Sequence, residues 1–181
     1  MMQEFPDSKI LDTIGTDPEV GYRMLMKSYK MPVYWHIRRI TVVHQDAEDA
    51  LQETFLRIFR NFGKFKKEMS LAAWIFKIAT NEALRQCEKH KECAFLLDDI
   101  EVDAKHVMAD EYFDYSDIES IKLQKAILSL PPKQQLAFNL RYYDEFDYAV
   151  IAQIIDSTVA SAKANYHAAK EKIIHYMNTH D

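Results

Sequence analysis

The residues able to do chemistry concentrate between Asp46 and Asn81, in DAEDALQETFLRIFRNFGKFKKEMSLAAWIFKIATN. Carboxylates come first, at Asp46, Glu48, Asp49 and Glu53. A basic loop follows, with Lys64, Lys66 and Lys67 around Phe65. A segment with Trp74, Phe76 and Lys77 then runs to a polar end at Asn81. Acidic side chains in a helix's first turns are stabilised by its dipole, and they offer negative charge to a basic partner. Lysines around an aromatic suit single-stranded nucleic acid: the charges track the backbone and a pocket takes an unstacked base. The stretch thus predicts one helix made for a basic partner, then a loop and helix made to hold nucleic acid. Trp74 is spaced with Leu71 and Ile78 as a core residue, which weighs against a base platform.

Two other groups invite a metal. Cys87-x-x-His90-x-x-Cys93 offers thiolates and an imidazole, but a structural zinc usually takes four ligands. On a continuous helix these three positions also spread around the axis. His44 with Asp46, Glu48 and Asp49 resembles a hard-metal set, yet helix capping accounts for the same carboxylates. There is no His-x-x-x-His pair and no nucleophile with a base partner. With 3 glycines in the chain, a phosphate-cradling loop is not expected. The reading is of no catalytic constellation, no metal and no cofactor.

The elements that position these residues read as helices. One starts at Asp17, with Pro18 at its first position and Glu19 in its first turn. It carries Tyr22, Leu25, Met26 and Tyr29 on one side. Pro32 is expected to interrupt it, with a second helix from Trp35 to about Val43. Asp46 is expected to cap the next helix, with Asp49 three residues on. Leu51, Phe55, Ile58 and Phe62 give that helix an apolar face, and Gly63 ends it. Ser70 caps a further helix with Leu71, Trp74, Ile75 and Ile78 on one side, fading into Glu88 to Glu92. Residues 95–115 are aperiodic and read as a linker. Ser116 and Glu119 form a capping box for a helix ending at Leu130, before Pro131 and Pro132. A helix then runs from Pro132 to about Tyr142, with a turn at Asp144 and Glu145. Asp147 caps a short helix, Tyr148 to Ile155. Asp156, Ser157 and Thr158 turn into a longer helix from about Ala160 to Met177. Short helix, tight polar turn, longer helix is the helix-turn-helix pattern. Tyr166, Ala169, Ile173 and Met177 should face inward, and Ser161, Lys163, Asn165, His167 and Lys170 outward.

Composition agrees. The chain has 181 residues, 48% hydrophobic and 28% charged, with long runs rich in Ala, Leu, Lys, Glu and Gln. That favours an all-α fold in one domain or two small ones. No apolar run approaches the roughly 20 residues of a bilayer span. The start, MMQEFPDSKI, lacks the basic and apolar regions of a signal peptide, so a cytoplasmic protein without membrane insertion is expected. Two cysteines do not suggest a disulfide framework. The net charge of −5 argues weakly against nucleic acid, but its distribution does not. Residues 1–95 hold 15 basic and 13 acidic side chains, residues 96–119 hold 1 and 9, and residues 120–181 hold 7 and 6. Both flanking blocks are mildly basic, and local charge decides whether a face can meet phosphates.

These residues resemble a known family. DAEDALQETFLRIFRNF followed by SLAAWIFKIATNEAL resembles conserved region 2 of bacterial sigma-70 factors. LPPKQQLAFNLRYYDEFDYAVIAQII followed by KANYHAAKEKI resembles region 4. Without regions 1 and 3, the chain resembles the extracytoplasmic-function (ECF) subgroup. The resemblance implies two small helical domains: a four-helix region 2 over residues 1–94 and a helix-turn-helix region 4 over residues 117–181. An acidic linker, residues 95–116, joins them. It further implies a transcription initiation factor that binds core RNA polymerase, directs it to promoters and helps open the minus-10 region. Contact with the β′ clamp helices carries over to Asp46, Asp49, Gln52, Glu53, Leu56 and Arg57, and region 4 would meet the β flap. Minus-10 strand capture carries over to Lys64, Phe65, Lys66, Lys67, Glu68, Met69 and Ser70, then Trp74, Lys77, Asn81 and Arg85. Minus-35 reading falls on Ser161, Ala162, Lys163, Ala164, Asn165, His167, Ala168 and Lys170. Where the family often has Gly, Ala160 stands here, and where it often has further basic residues stand Asn165 and Ala168. This helix is therefore expected to grip duplex phosphates weakly, with Asn165 able to read adenine. An anti-sigma partner is also implied. The acidic linker is open to two readings, a solvated tether or an occupant of a basic nucleic-acid channel.

Two other classes stay open on sequence alone. A stand-alone helix-turn-helix regulator explains residues 117–181 but leaves the DAED helix idle. A sigma-like protein that binds polymerase without reading DNA fits the thin charge on the last helix.

Overall fold

The computed structural model describes residues 4–66, 68–90 and 118–179. Among them the chain forms eight α-helices: α1 (Asp7–Thr16), α2 (Pro18–Thr41), α3 (His44–Asn61), α4 (Leu71–His90), α5 (Ile118–Leu128), α6 (Pro132–Tyr142), α7 (Tyr148–Ile154) and α8 (Val159–Thr179). A 3-10 turn, Phe62–Lys64, follows α3. The expected linker, Ser116 of the capping box, and Lys67 fall outside the described residues.

The helix α1 was not expected from the sequence. It buries only Ile10 and Ile14, too few positions for a clear apolar stripe. Those two side chains lie on α2, where Gly21 lets the helices close. A Cβ at Gly21 would stand 2.5 Å from the backbone nitrogen of Ile14.

The next helix starts where expected. The Asp17 carboxylate accepts from the Val20 N–H at 3.2 Å, and Pro18 opens the helix. The break expected at Pro32 does not occur: α2 runs for 24 residues with Pro32 inside it. An interior proline costs about 3 kcal/mol. Against that stand Leu25, Tyr29, Val33, Ile37 and Ile40, all fully buried on this one helix. Each contributes about 1.5–3 kcal/mol, so the stripe on both sides of Pro32 outweighs the lost bond. The helix stops at Val42, whose φ of 63° is strained for a β-branched residue. Val42→Gly is therefore expected to stabilise by about 1 kcal/mol, raising the thermal midpoint by roughly 3 °C. A lower midpoint in a calorimetric scan would remove the case for strain there.

Helices α3 and α4 pack side by side against α2. Ala47, Ala50, Leu51 and Ile58 enter from α3, and Leu71, Ala73, Ile75, Phe76, Ala79 and Ala83 from α4. Ser70 caps α4 as expected, its Oγ accepting from the Ala73 N–H at 3.1 Å. Asp46 does not cap α3. The helix begins two residues earlier, and Asp46 is 4% exposed with its Oδ1 3.5 Å from Gln86 Nε2 of α4.

The second half has its own small core of Ala126, Ile127, Leu130, Phe138, Ala169 and Ile173. Pro132 opens α6. Thr158 caps α8 by accepting from the Ser161 N–H at 3.1 Å. Asp147 precedes α7 but makes no capping bond; its Oδ1 lies 3.4 Å from Arg141 Nη1. The two halves do not stand apart. Leu136, Leu140, Ile151, Ala152 and Ile154 join the same buried cluster as the N-terminal helices.

Candidate functional site

The acidic face predicted on α3 is present, apart from Asp46. Asp49, Gln52, Glu53, Leu56 and Arg57 line an open groove of about 570 Å³ between α3 and α4, closed on the far side by Glu82, Arg85, Gln86 and Lys89. A buried carboxylate missed by the sequence reading organises it. Glu82 is 5% exposed, and Arg85 Nη1 donates to both its oxygens at 2.8 and 2.9 Å. Arg57 Nε lies 2.8 Å from Glu82 Oε1, an ion pair rather than an aligned hydrogen bond, and 3.4 Å from Glu53 Oε1. A carboxylate this buried needs such pairing, and it fixes Arg57 at the groove. The only local hint was the Glu82, Arg85 spacing of three.

Beside this groove lies an apolar one of about 400 Å³, lined by Met26, Leu51, Phe55, Leu56 and Phe59 with Lys30 and Gln52 at its edge. Leu56 is 48% and Phe59 61% exposed. Exposed large side chains clustered this way mark an interaction surface. The Phe59 ring rests on Tyr22 at 4.1 Å, and burial raises the Tyr22 phenol above its usual pKa. Carboxylates, an arginine and exposed apolar anchors thus share one side of α3.

The basic loop sits at the other end of that helix. Lys64 and Lys66 are exposed, and Lys67 lies outside the described residues. Phe65 is half-buried, 5.9 Å from Phe62 and 5.3 Å from Trp74, while Phe62 and Trp74 meet edge-on at 5.8 Å. The three rings form one aromatic floor in the segment that carries Lys64 and Lys66, and Trp74 belongs to that floor. Along α4, Asn81 is exposed and Phe76 fully buried, so Phe76 is core. Lys77 is not free: its Nζ lies 2.5 Å from Asp156 Oδ1 of the α7–α8 turn. Arg85 turns to Glu82 and joins the α3 groove rather than the loop.

In α8, Lys163, Ala164, His167 and Lys170 are exposed, and Ala162 is buried. Ser161 and Asn165 are half-buried, and the Asn165 amide donates to the Ser161 carbonyl at 3.0 Å and Oγ at 3.3 Å. Reading adenine needs that amide as donor and acceptor together, so Asn165 would have to give up its bonds to Ser161.

The metal alternatives find no support in the geometry. His44 contacts Tyr34 at 2.8 Å and Glu48 at 3.4 Å, while Asp46 is turned inward. Cys87 is buried and disulfide-bonded; the His90 side chain and Cys93 lie outside the described residues. Among the described residues no three possible ligands gather. No described helix is long and apolar enough to cross a membrane.

The sigma-70 region 2 model matches residues 25–92, and the sigma-70 region 4 model matches residues 120–173. The chain belongs to the sigma-70 family. Its relatives place it in the ECF subgroup. It is 28% identical over 156 residues to the ECF RNA polymerase sigma factor SigW of Bacillus subtilis, covering 80% of this chain and 82% of that one. It is 23% identical over 182 residues to the ECF RNA polymerase sigma-E factor of Haemophilus influenzae, covering 96% of each. The fold is similar to that of CnrH, solved with the cytosolic domain of CnrY, at a TM-score of 0.72 and 12% identity over 97% and 99% of the two chains. RpoE of Bartonella quintana, solved with the anti-sigma factor NepR, gives a TM-score of 0.70 and 20% identity over 88% and 98%. This sigma factor is a transcription initiation factor that directs RNA polymerase to promoters. Its region 2 contains α3, the lysine loop and α4, and its region 4 contains the helix-turn-helix of α7 and α8.

Proposed function

We propose that the α3 face is the polymerase-binding surface of this sigma factor, and that the loop and α4 take the minus-10 strand. The observation that carries this is the juxtaposition on α3 of exposed Asp49, half-exposed Glu53 and the exposed apolar Leu56 and Phe59. A partner helix with basic and apolar side chains fits both grooves, as the β′ clamp helices would. Asp46 supports this helix from inside rather than by contact. Lys64, Lys66 and Lys67 supply the backbone track, Ser70 and Asn81 polar contacts, and the Phe62–Phe65–Trp74 floor an apolar bed. Region 4 meets the minus-35 element through Lys163, His167 and Lys170, and the β flap through its remaining surface. The factor works in the cytoplasm, where it also meets an anti-sigma protein, as RpoE of Bartonella quintana meets NepR.

Run-off transcription from a promoter library with purified core polymerase tests the reading. Promoter-dependent transcripts support it. Core binding without transcripts selects a polymerase-binding decoy, and DNA binding without core selects a free-standing regulator. Within that assay, Lys66→Ala with Lys67→Ala should reduce open-complex formation about tenfold while core affinity stays within about twofold. Equal losses in both would remove the loop from the DNA interface.

A further inference from the structure

The groove between α3 and α4 carries charges of both signs, and they are sorted. On the α3 side stand Asp49 and Glu53. On the α4 side Glu82, Arg85 and Lys89 recur at the spacing of one helix face. Arg57 crosses from α3 to join Glu82 there. Among the described residues neither Arg85 nor Lys89 pairs with Asp49; Arg85 turns to Glu82, and Lys89 Nζ donates to Gln86 Oε1 at 3.5 Å. The two walls therefore do not neutralise each other across the groove.

Glu82 keeps the signs apart. Its Oε1 lies 2.8 Å from both Arg57 Nε and Arg85 Nη1, and the carboxylate is 5% exposed. One buried carboxylate between two guanidinium groups leaves a net positive charge, and Lys89 adds to it. Each arginine is held through a single nitrogen. Among the described residues the terminal nitrogens of Arg57, and Nε and Nη2 of Arg85, make no hydrogen bond. The two side chains are 39% and 46% exposed. A guanidinium anchored at one nitrogen holds its other donors as a planar fork in a fixed place, the geometry that receives a carboxylate.

We propose that Glu82 positions Arg57 and Arg85 to receive an acidic side chain of the polymerase. The segment seated in this groove then carries both signs: basic groups toward Asp49 and Glu53, and a carboxylate toward the two guanidinium groups. The proposal rests on the polymerase assignment of α3. A segment with basic groups alone would press like charges on Arg85 and Lys89 as water leaves the groove. The same geometry takes Arg85 out of the minus-10 interface, where the family resemblance puts it, and makes it a polymerase contact.

The test uses the full chain as wild type, Arg85→Ala, Arg85→Lys, Glu82→Gln and the Glu82→Gln, Arg85→Ala pair. Fluorescence titration with purified core polymerase reads binding. Transcript yield at saturating factor, from a promoter recovered by the library assay, reads opening, and thermal melting checks the fold. Arg85→Ala should weaken core binding about tenfold and leave the saturated yield within about twofold, since a charge-assisted hydrogen bond contributes about that factor. Arg85→Lys keeps a charge for Glu82 but loses the fork, so it should hold the melting midpoint and still bind several-fold more weakly. Glu82→Gln should weaken binding too, and by less in the Arg85→Ala background, because it acts partly through that side chain. Unchanged core affinity with a lowered saturated yield assigns Arg85 to DNA and overturns the proposal. Full recovery of affinity by lysine overturns the forked acidic contact. Losses from Glu82→Gln and Arg85→Ala that multiply in the pair overturn the positioning role of Glu82. Exchanging Asp49 and Glu53 for lysine judges the polymerase assignment separately: if that weakens core binding and the Arg85 variants do not, the acidic contact alone fails.

Discussion

Exchanging Asp49 and Glu53 together for lysine is expected to lower the affinity for core polymerase at least about 100-fold, with the thermal midpoint held within a few degrees. Two features separate binding from folding here. Asp49 is exposed, and its side chain accepts from Gln45 Nε2 at 3.4 Å. Glu53 lies 3.4 Å from Arg57, but Arg57 has its shorter contact with Glu82 at 2.8 Å, so it stays anchored when Glu53 changes. Exposed ion pairs of this kind contribute about 0–1 kcal/mol to stability. Reversing two charges against a basic partner costs several kcal/mol in binding, and about 2.7 kcal/mol already corresponds to 100-fold. Co-elution or fluorescence titration with core polymerase reads the first quantity, and thermal melting the second. Affinity unchanged from wild type would refute the polymerase assignment of α3. A collapse of the melting transition would show instead that these carboxylates are structural.

The helix order of region 2 beyond α2, the cap at Ser70 and the helix-turn-helix were legible because each is a local signal. Capping residues act within three positions, and apolar periodicity repeats within a turn or two. Three residues show where local signals end. Pro32 looked like a breaker, but the burial of residues on both sides, decided by α3 and α4, overrode its propensity. Asp46 looked like an exposed cap, yet Gln86 of α4, 40 residues later, gives it a partner inside. Asp144 looked like a turn residue, yet its carboxylate is held by His36 and Arg39 of α2. Asn165 failed differently: its outward placement was nearly right, but its bond to Ser161 follows from the rotamer and not from the helix pattern. At the candidate site, the sequence located the loop and the α3 face. Glu82 and Asp156, which set how Arg57 and Lys77 are held, required the packing of one helix on another.

Gly21→Ala should lower stability by about 2–4 kcal/mol, a fall of roughly 10 °C in the melting midpoint. The new Cβ would meet the Ile14 backbone nitrogen at 2.5 Å and Cα at 2.6 Å, and backbone atoms cannot rotate away as a flexible side chain can. Helix α1 has to lift, uncovering Ile10 and Ile14 and straining the Tyr29 hydroxyl's 2.6 Å bond to Asp7. Each isoleucine returned to water costs about 1.5–3 kcal/mol. The same substitution in a chain lacking residues 1–16 should reverse sign. Without α1 the clash is gone, and alanine is the better helix former by about 1 kcal/mol. Helix propensity and inter-helix contact therefore oppose each other at this position, and the double-mutant cycle separates them. If the shortened chain loses as much stability from Gly21→Ala as the full chain does, the glycine serves α2 itself and not the seat of α1.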